Sequence, residues 1–132
     1  MRVLFNQLYS NPMTFTEVSF TSYPATDLAA SRAFYENILG LKPGMVIPME
    51  NGDGWVEYEL GSHTFGIGKS DSWNHGVCCA LETDDFDAAV AALKKAGTQF
   101  VMEPFDCPGC RMALVLDPAG NKLMIHHRKA KQ

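Results

Sequence analysis

The chain has 132 residues, a formal net charge of −4, and a composition that is 46% hydrophobic, 20% charged and 11% aromatic. These values fit one folded domain of ordinary size and exclude an intrinsically disordered protein. The positive charges are scattered apart from Arg128, Lys129 and Lys131, so nothing indicates a nucleic-acid partner, and no apolar run approaches the ~20 residues that a membrane span needs.

Residues 1–12 precede the first strand-like run and do not match a signal peptide. Their apolar patch is short, and no small-residue cleavage site follows it. We expect these residues to be an N-terminal extension and the protein to be cytoplasmic. In that compartment its four cysteines are expected to be reduced thiols.

The first half of the chain predicts a strand, a helix and three further strands. Aromatic residues, Val and Thr favour a strand over residues 15–23. Asp27 is a suitable helix N-cap and Gly40 a suitable helix stop, so the helix is expected between them. Strands are then predicted at residues 45–48, 55–60 and 64–68, separated by turn sequences at 51–54 and 61–62.

The second half repeats this order. The pattern predicts a strand at 77–82, a helix at 86–96, and strands at 99–103, 112–116 and 122–127. Asp85 follows Asp27 by 58 residues and Gly97 follows Gly40 by 57, which indicates two copies of one supersecondary unit. We expect one domain over residues 1–132, built of a module at about 14–69 and a module at about 75–128, with a ligand between them.

Several phrases of the chain resemble one protein family. They are ATDL at 25–28, RAFY at 32–35 and LGL at 39–41 in the first module, and ALETDDFDAA at 80–89 and DPAGNKL at 117–123 in the second. They resemble the glyoxalase/bleomycin-resistance/ring-cleaving dioxygenase group, the vicinal oxygen chelate superfamily. The resemblance covers roughly residues 14–128. It implies an α+β fold of two βαβββ modules that form a curved half-barrel cup, a homodimer, and a small-molecule ligand.

The resemblance also implies positions for a metal. Metal-using members place one ligand on the first and one on the last strand of each module. Three of these positions fall on Gly66, Cys78 and Met124 in this sequence. Glycine has no side chain to ligate, and a thioether is a poor ligand for hard divalent ions. We therefore expect no metal in the family-standard site, and no other cofactor.

The fourth position depends on the register of the first strand. Counting back from Asp27 without a gap gives Phe20, whereas a bulge before Pro24 gives Glu17. We prefer Glu17, because Val18 and Phe20 are expected to form an apolar face toward the helices and to turn Glu17 the other way. Both registers stay open from the sequence.

Glu17 and Cys78 are the candidate catalytic residues. A carboxylate inside a cavity can act as a general base, although an exposed strand carboxylate is the alternative for Glu17. Cys78 is a candidate nucleophile if a nearby base lowers its pKa, and a small buried side chain otherwise.

A ligand also needs an apolar wall, for which Trp55, Tyr58 and Trp73 are candidates, with core packing or a dimer contact as the alternative. The predicted ligand-binding set is Glu17, Trp55, Tyr58, Cys78 and Met124.

Two further groups carry no assigned role. Cys107 and Cys110 flank a Pro-Gly turn, which suits a turn with two thiols better than a redox motif or a zinc site. His126 and His127 end the last strand on opposite faces and are expected to be exposed, with one of them at the cavity rim as the alternative.

The sequence therefore favours a metal-independent small-molecule binding protein of the glyoxalase/bleomycin resistance type. The alternative is a lyase, isomerase or transferase, glyoxalase-like or dioxygenase-like, that acts in the same cavity. A dimer with a vestigial cup is a third possibility. The residues leave open whether the protein is catalytic and which ligand it binds.

Overall fold

The structure is a computed structural model that describes residues 14–71 and 76–129. The predicted extension at residues 1–12 and Trp73 lie outside these ranges. The described residues form eight strands and two α-helices: β1 Phe15–Pro24, α1 Leu28–Ala33, β2 Pro43–Pro48, β3 Gly54–Leu60, β4 His63–Lys69, β5 Cys78–Thr83, α2 Phe86–Lys95, β6 Phe100–Asp106, β7 Cys110–Leu116 and β8 Lys122–Arg128. This order confirms the two predicted βαβββ modules.

The predicted N-cap Asp27 is confirmed, and Asp85 takes the same role in the second module. The Asp27 side chain accepts a hydrogen bond from Ala30 N at 3.0 Å, and the Asp85 side chain accepts one from Ala88 N at 3.1 Å. Each carboxylate thus satisfies a backbone donor that the first helical turn leaves unpaired. The repeat in the sequence is therefore a repeat of the same local structure.

The first helix differs from the prediction at its end. The predicted single helix is α1 followed by a π-helical turn, Phe34–Ile38. Its signature is the hydrogen bond from Leu39 N to Phe34 O at 3.0 Å, which spans five residues instead of four.

The chain divides into two compact units. We call Val18–Ala80 the first unit; the second unit comprises residues 14–17 and 81–129 of the described chain. The division follows the predicted modules, except that the start of β1 belongs to the second unit and residues 78–80 of β5 belong to the first. The prediction that the two modules form one domain stays a prediction.

In the first unit the strand order is β2-β3-β4-β1. β1 runs parallel to β4, and the other neighbours are antiparallel. One face of this sheet packs against α1 and the turn after it. Its buried core consists of Ala25, Leu28, Val56, Tyr58 and Ile67.

In the second unit β8, β7 and β6 form an antiparallel ladder, and residues 81–83 of β5 lie beside β8. The helix α2 covers one face of these strands. The core on that face consists of Phe86, Ala89, Ala113, Val115 and Ile125. Residues that alternate with these, such as Leu114 and Met124, belong to the opposite face.

Neither helix in residues 14–71 and 76–129 is long and apolar enough to cross a membrane.

Candidate functional site

The first unit has a sheet face that points away from α1. Val56 and Ile67 are in the helix-facing core, so their neighbours Trp55 and Gly66 lie on the other face. Ser22 is the strand partner of Gly66 and belongs to the same face. This face contains Gly66, one of the positions at which the resemblance places a metal ligand.

Trp55 occupies the space above Gly66. A Cβ atom added to Gly66 would lie 2.2 Å from Trp55 Cζ2 and 2.3 Å from Cη2, far inside van der Waals contact. The indole is held from two sides. Its ring lies edge-on to Phe20 with centroids 5.4 Å apart, and its Nε1 donates to Glu57 Oε2 at 2.8 Å. Gly66 is thus the residue that makes room for the tryptophan.

These contacts correct the predicted register of β1. The expectation that Phe20 faces the helices is wrong, because Phe20 is only 8% exposed and packs against Trp55. Tyr23 faces the helices instead and contacts Phe65 with ring centroids 5.3 Å apart. Glu17 is exposed. The ungapped count that gives Phe20 is therefore the better one, and the structural reason for preferring Glu17 no longer stands.

Next to Trp55 is an open cleft of about 320 Å³ at the ends of β1 and β4. Its polar side chains include Ser22, Lys69 and Ser70. Lys69 Nζ lies 3.0 Å from Asp53 Oδ1, and this hydrogen bond raises the pKa of Lys69. The cleft therefore combines an aromatic wall with a cation. Trp55, one of the predicted wall residues, lines it.

Tyr58 takes the other of its two predicted roles. It is fully buried in the helix-facing core, where its hydroxyl donates to Glu36 Oε2 at 3.0 Å. Burial, followed by the hydrogen bond to Glu36, raises the pKa of Tyr58 to about 12. Arg32 Nε donates to the same oxygen at 2.7 Å and lowers the pKa of Glu36. Tyr58 thus belongs to a polar contact under the helix and not to the Trp55 face.

Cys78 and Met124 are both buried, at 3% and 2% exposure. The Cys78 thiol donates to the Cys79 carbonyl oxygen at 3.6 Å. Met124 is the strand partner of Leu114, on the face of the second unit away from α2. Their proposed roles in ligand binding stay predictions.

A buried acid–imidazole pair in the second unit was not predicted. His126 Nδ1 lies 2.7 Å from Glu82 Oε1, and the two side chains are only 7% and 13% exposed. Arg128 N donates to Glu82 Oε2 at 2.7 Å. The expectation of an exposed His126 is wrong, because Glu82 on β5 covers it. The sequence contains one indication that His126 is buried: it lies two residues after Met124, and therefore on the same face of the strand.

The comparison with known proteins agrees with this fold. A sequence model described as Glyoxalase/Bleomycin resistance protein/Dioxygenase superfamily matches residues 17–125. No curated protein matches the chain.

Solved structures with the same fold are distant in sequence. Methylmalonyl-CoA epimerase from Mycobacterium tuberculosis has a TM-score of 0.72 and 15% identity over 88% of this chain and 90% of that one. A variant of the Streptomyces coelicolor methylmalonyl-CoA epimerase, in complex with 2-nitronate-propionyl-CoA, has a TM-score of 0.71 and 19% identity over 89% of this chain and 100% of that one.

The Mn(II)-bound glyoxalase from Novosphingobium aromaticivorans has a TM-score of 0.62 and 23% identity over 91% of this chain and 42% of that one. At these identities the similarity concerns the fold alone. The family is established by the sequence model, which matches most of the chain. This chain therefore belongs to the glyoxalase/bleomycin resistance protein/dioxygenase superfamily.

Proposed function

We propose that the chain is a small-molecule binding protein of the glyoxalase/bleomycin resistance type that works without the family's divalent metal. The observation that carries this proposal is the packing of Trp55 over Gly66. The indole fills space that a side chain at that position would need. It also provides one wall of the cleft in the first unit.

The residues at the family's metal positions do not fit a divalent ion. In the first unit, Phe20 and Gly66 provide no donor atom. In the second module, Cys78 offers a buried thiol and Met124 offers a thioether. A protein site for such an ion takes at least three side-chain ligands, and hard ions prefer oxygen or nitrogen. No other cluster of three His, Cys, Asp or Glu residues that could hold a metal is found within residues 14–71 and 76–129.

The cleft suggests the chemistry of its ligand. An aromatic wall from Trp55 favours an apolar or flat group. The ammonium group of Lys69 and the hydroxyl groups of Ser22 and Ser70 favour a carboxylate or phosphate group at the other end. The cleft volume of about 320 Å³ is at the lower end of the range typical of small-molecule sites. We infer a small organic anion.

Binding of aromatic carboxylates and short acyl-coenzyme A thioesters, followed by tryptophan fluorescence and thermal shift, tests this proposal. Lys69→Met should weaken a bound anion by about fivefold, the effect expected of a partly exposed ion pair, without weakening its neutral amide analogue. Lys94→Met is the matched control, because Lys94 also makes an ion pair, at 2.7 Å to Glu103, but belongs to the second unit. If Lys69→Met and Trp55→Leu both bind the anion as strongly as the native chain does, the cleft is not the binding site.

A lyase, isomerase or transferase activity is the second candidate. The observation in its favour is the buried Glu82–His126 pair, since a carboxylate that holds one imidazole nitrogen can orient the ring for proton transfer. Incubation of methylmalonyl-CoA with the protein in deuterium oxide would report such transfer as deuterium at the α-carbon. Incorporation that His126→Gln abolishes would support catalysis, and no incorporation above the protein-free rate would argue against this reaction.

Homodimerisation and a cytoplasmic location also stay proposals. The edge strand β2 supports the former, because Met45, Val46 and Ile47 are 48%, 44% and 44% exposed. Light scattering should give a particle of twice the chain mass, and a monomer at micromolar concentration would contradict dimerisation. Cell fractionation tests the location.

A further inference from the structure

The turn between β6 and β7 places two thiols opposite each other. Cys107 follows the end of β6, Cys110 begins β7, and only Pro108 and Gly109 lie between them. Cys107 N donates to Cys110 O at 2.8 Å, and the next pair of the ladder is Asp106 and Arg111. Cys107 and Cys110 therefore close the hairpin as a cross-strand pair.

A cross-strand pair of this kind holds its Cα atoms within the separation that a disulfide spans. Directly opposed antiparallel residues have Cα atoms about 5.5 Å apart when hydrogen-bonded, and their side chains leave the same face. Disulfides join residues whose Cα atoms are ~4.4–6.8 Å apart. The neighbouring Cys107 thiol also contributes to the raised pKa of Cys110, as expected of two thiols that lie close together. The two sulfur atoms can therefore approach each other without a rearrangement of the strands.

The turn is held in this geometry by Lys129, just beyond β8. Lys129 Nζ donates to Cys107 O at 2.8 Å, and Lys129 N donates to Gly109 O at 3.0 Å. Both cysteines are only partly buried, so a small reagent can reach the pair. The site is thus ordered while the thiols are reduced and accessible to an oxidant.

We propose that Cys107 and Cys110 form a reversible intramolecular disulfide by exchange with low-molecular-weight disulfides. In the first step the Cys107 thiolate attacks one sulfur of the small disulfide, forms a mixed disulfide and releases one small thiolate. In the second step the Cys110 thiol loses its proton to solvent, attacks Cys107 Sγ and displaces the second small thiolate. Two protein thiols are oxidised to one disulfide, and one small disulfide is reduced to two thiols.

The environment of Cys110 sets this order of attack. Burial, followed by the neighbouring Cys107, raises the pKa of Cys110 to about 12. Cys110 therefore remains protonated near neutral pH and is a slow first nucleophile, because the thiolate is the reactive form. Once Cys107 carries the mixed disulfide, the high effective concentration of the adjacent Cys110 thiol compensates for its low ionisation.

Mass spectrometry of the full chain treated with glutathione disulfide tests the proposal. After trypsin digestion, Cys107 and Cys110 lie together in residues 96–111, and Cys78 and Cys79 lie in residues 70–94. We expect the 96–111 peptide to lose two hydrogens and to regain them with dithiothreitol. The 70–94 peptide is the internal control and should remain alkylatable.

Two variants test the order of the steps. Cys110→Ser should accumulate a stable glutathione adduct at Cys107, whereas Cys107→Ser should react more slowly at Cys110, because burial still disfavours the Cys110 thiolate in that variant. A 96–111 peptide that keeps both hydrogens in excess glutathione disulfide would overturn the proposal. So would a glutathione adduct that persists on the native chain as it does on Cys110→Ser, since Cys110 then fails to resolve it.

Discussion

Gly66→Ala is expected to lower the free energy of unfolding by about 3 kcal/mol, the upper part of the range for overpacking a core. The added Cβ would lie 2.2 Å from Trp55 Cζ2. The indole is rigid and cannot yield as a flexible side chain would, because Phe20 and the hydrogen bond to Glu57 hold it. Urea denaturation, with the slope checked for constancy, measures this change.

The control is Gly109→Ala, because a Cβ there would have no atom within 4 Å. It should change stability by less than about 0.5 kcal/mol. A double-mutant cycle with Trp55→Ala identifies the cause, since Gly66→Ala should cost little once the indole is gone. A Gly66→Ala protein as stable as the native chain would show that Trp55 does not fill this space.

Glu82→Ala is expected to cost about 3 kcal/mol of stability, because it removes a hydrogen-bond partner of the buried His126. One oxygen of the Glu82 carboxylate accepts a hydrogen bond from Arg128 N at 2.7 Å. The other oxygen lies 2.7 Å from His126 Nδ1. The side chain of Glu82 is only 13% exposed, so solvent replaces little of what is lost.

Glu103→Ala is the matched control for this variant. Glu103 also makes an ion pair at 2.7 Å, to Lys94, but its side chain is 66% exposed. Exposed ion pairs contribute ~0–1 kcal/mol, so this change should be small. Equal costs for the two variants in chemical denaturation would mean that the Glu82–His126 pair is no more than a surface contact.

The sequence predicts the repeated architecture well because its signals are local. Asp27 and Asp85 are separate caps that need only the following turn to act, and each accepts the expected backbone hydrogen bond. The family phrases lie near these caps and in the turn after β7. Fold and family could therefore be predicted from short stretches of the chain.

The candidate site depends on contacts that no local pattern contains. β1 carries Phe20 on one face and Tyr23 on the other, so alternation alone cannot decide which face meets the helices. The orientation of β1 follows from Trp55, whose ring lies over Gly66 and packs against Phe20 on the face away from the helix. Glu82 and His126 are 44 residues apart, and only the pairing of two strands brings them together.

This chain is proposed to work without the family's divalent metal. The most direct test is elemental analysis of protein purified without chelator from cells supplied with nickel, zinc, iron and manganese. We expect much less than one equivalent of any of these metals per chain, because Phe20, Gly66 and Met124 provide no hard donor at the family positions. One tightly held equivalent per chain that is lost in Cys78→Ala would contradict it.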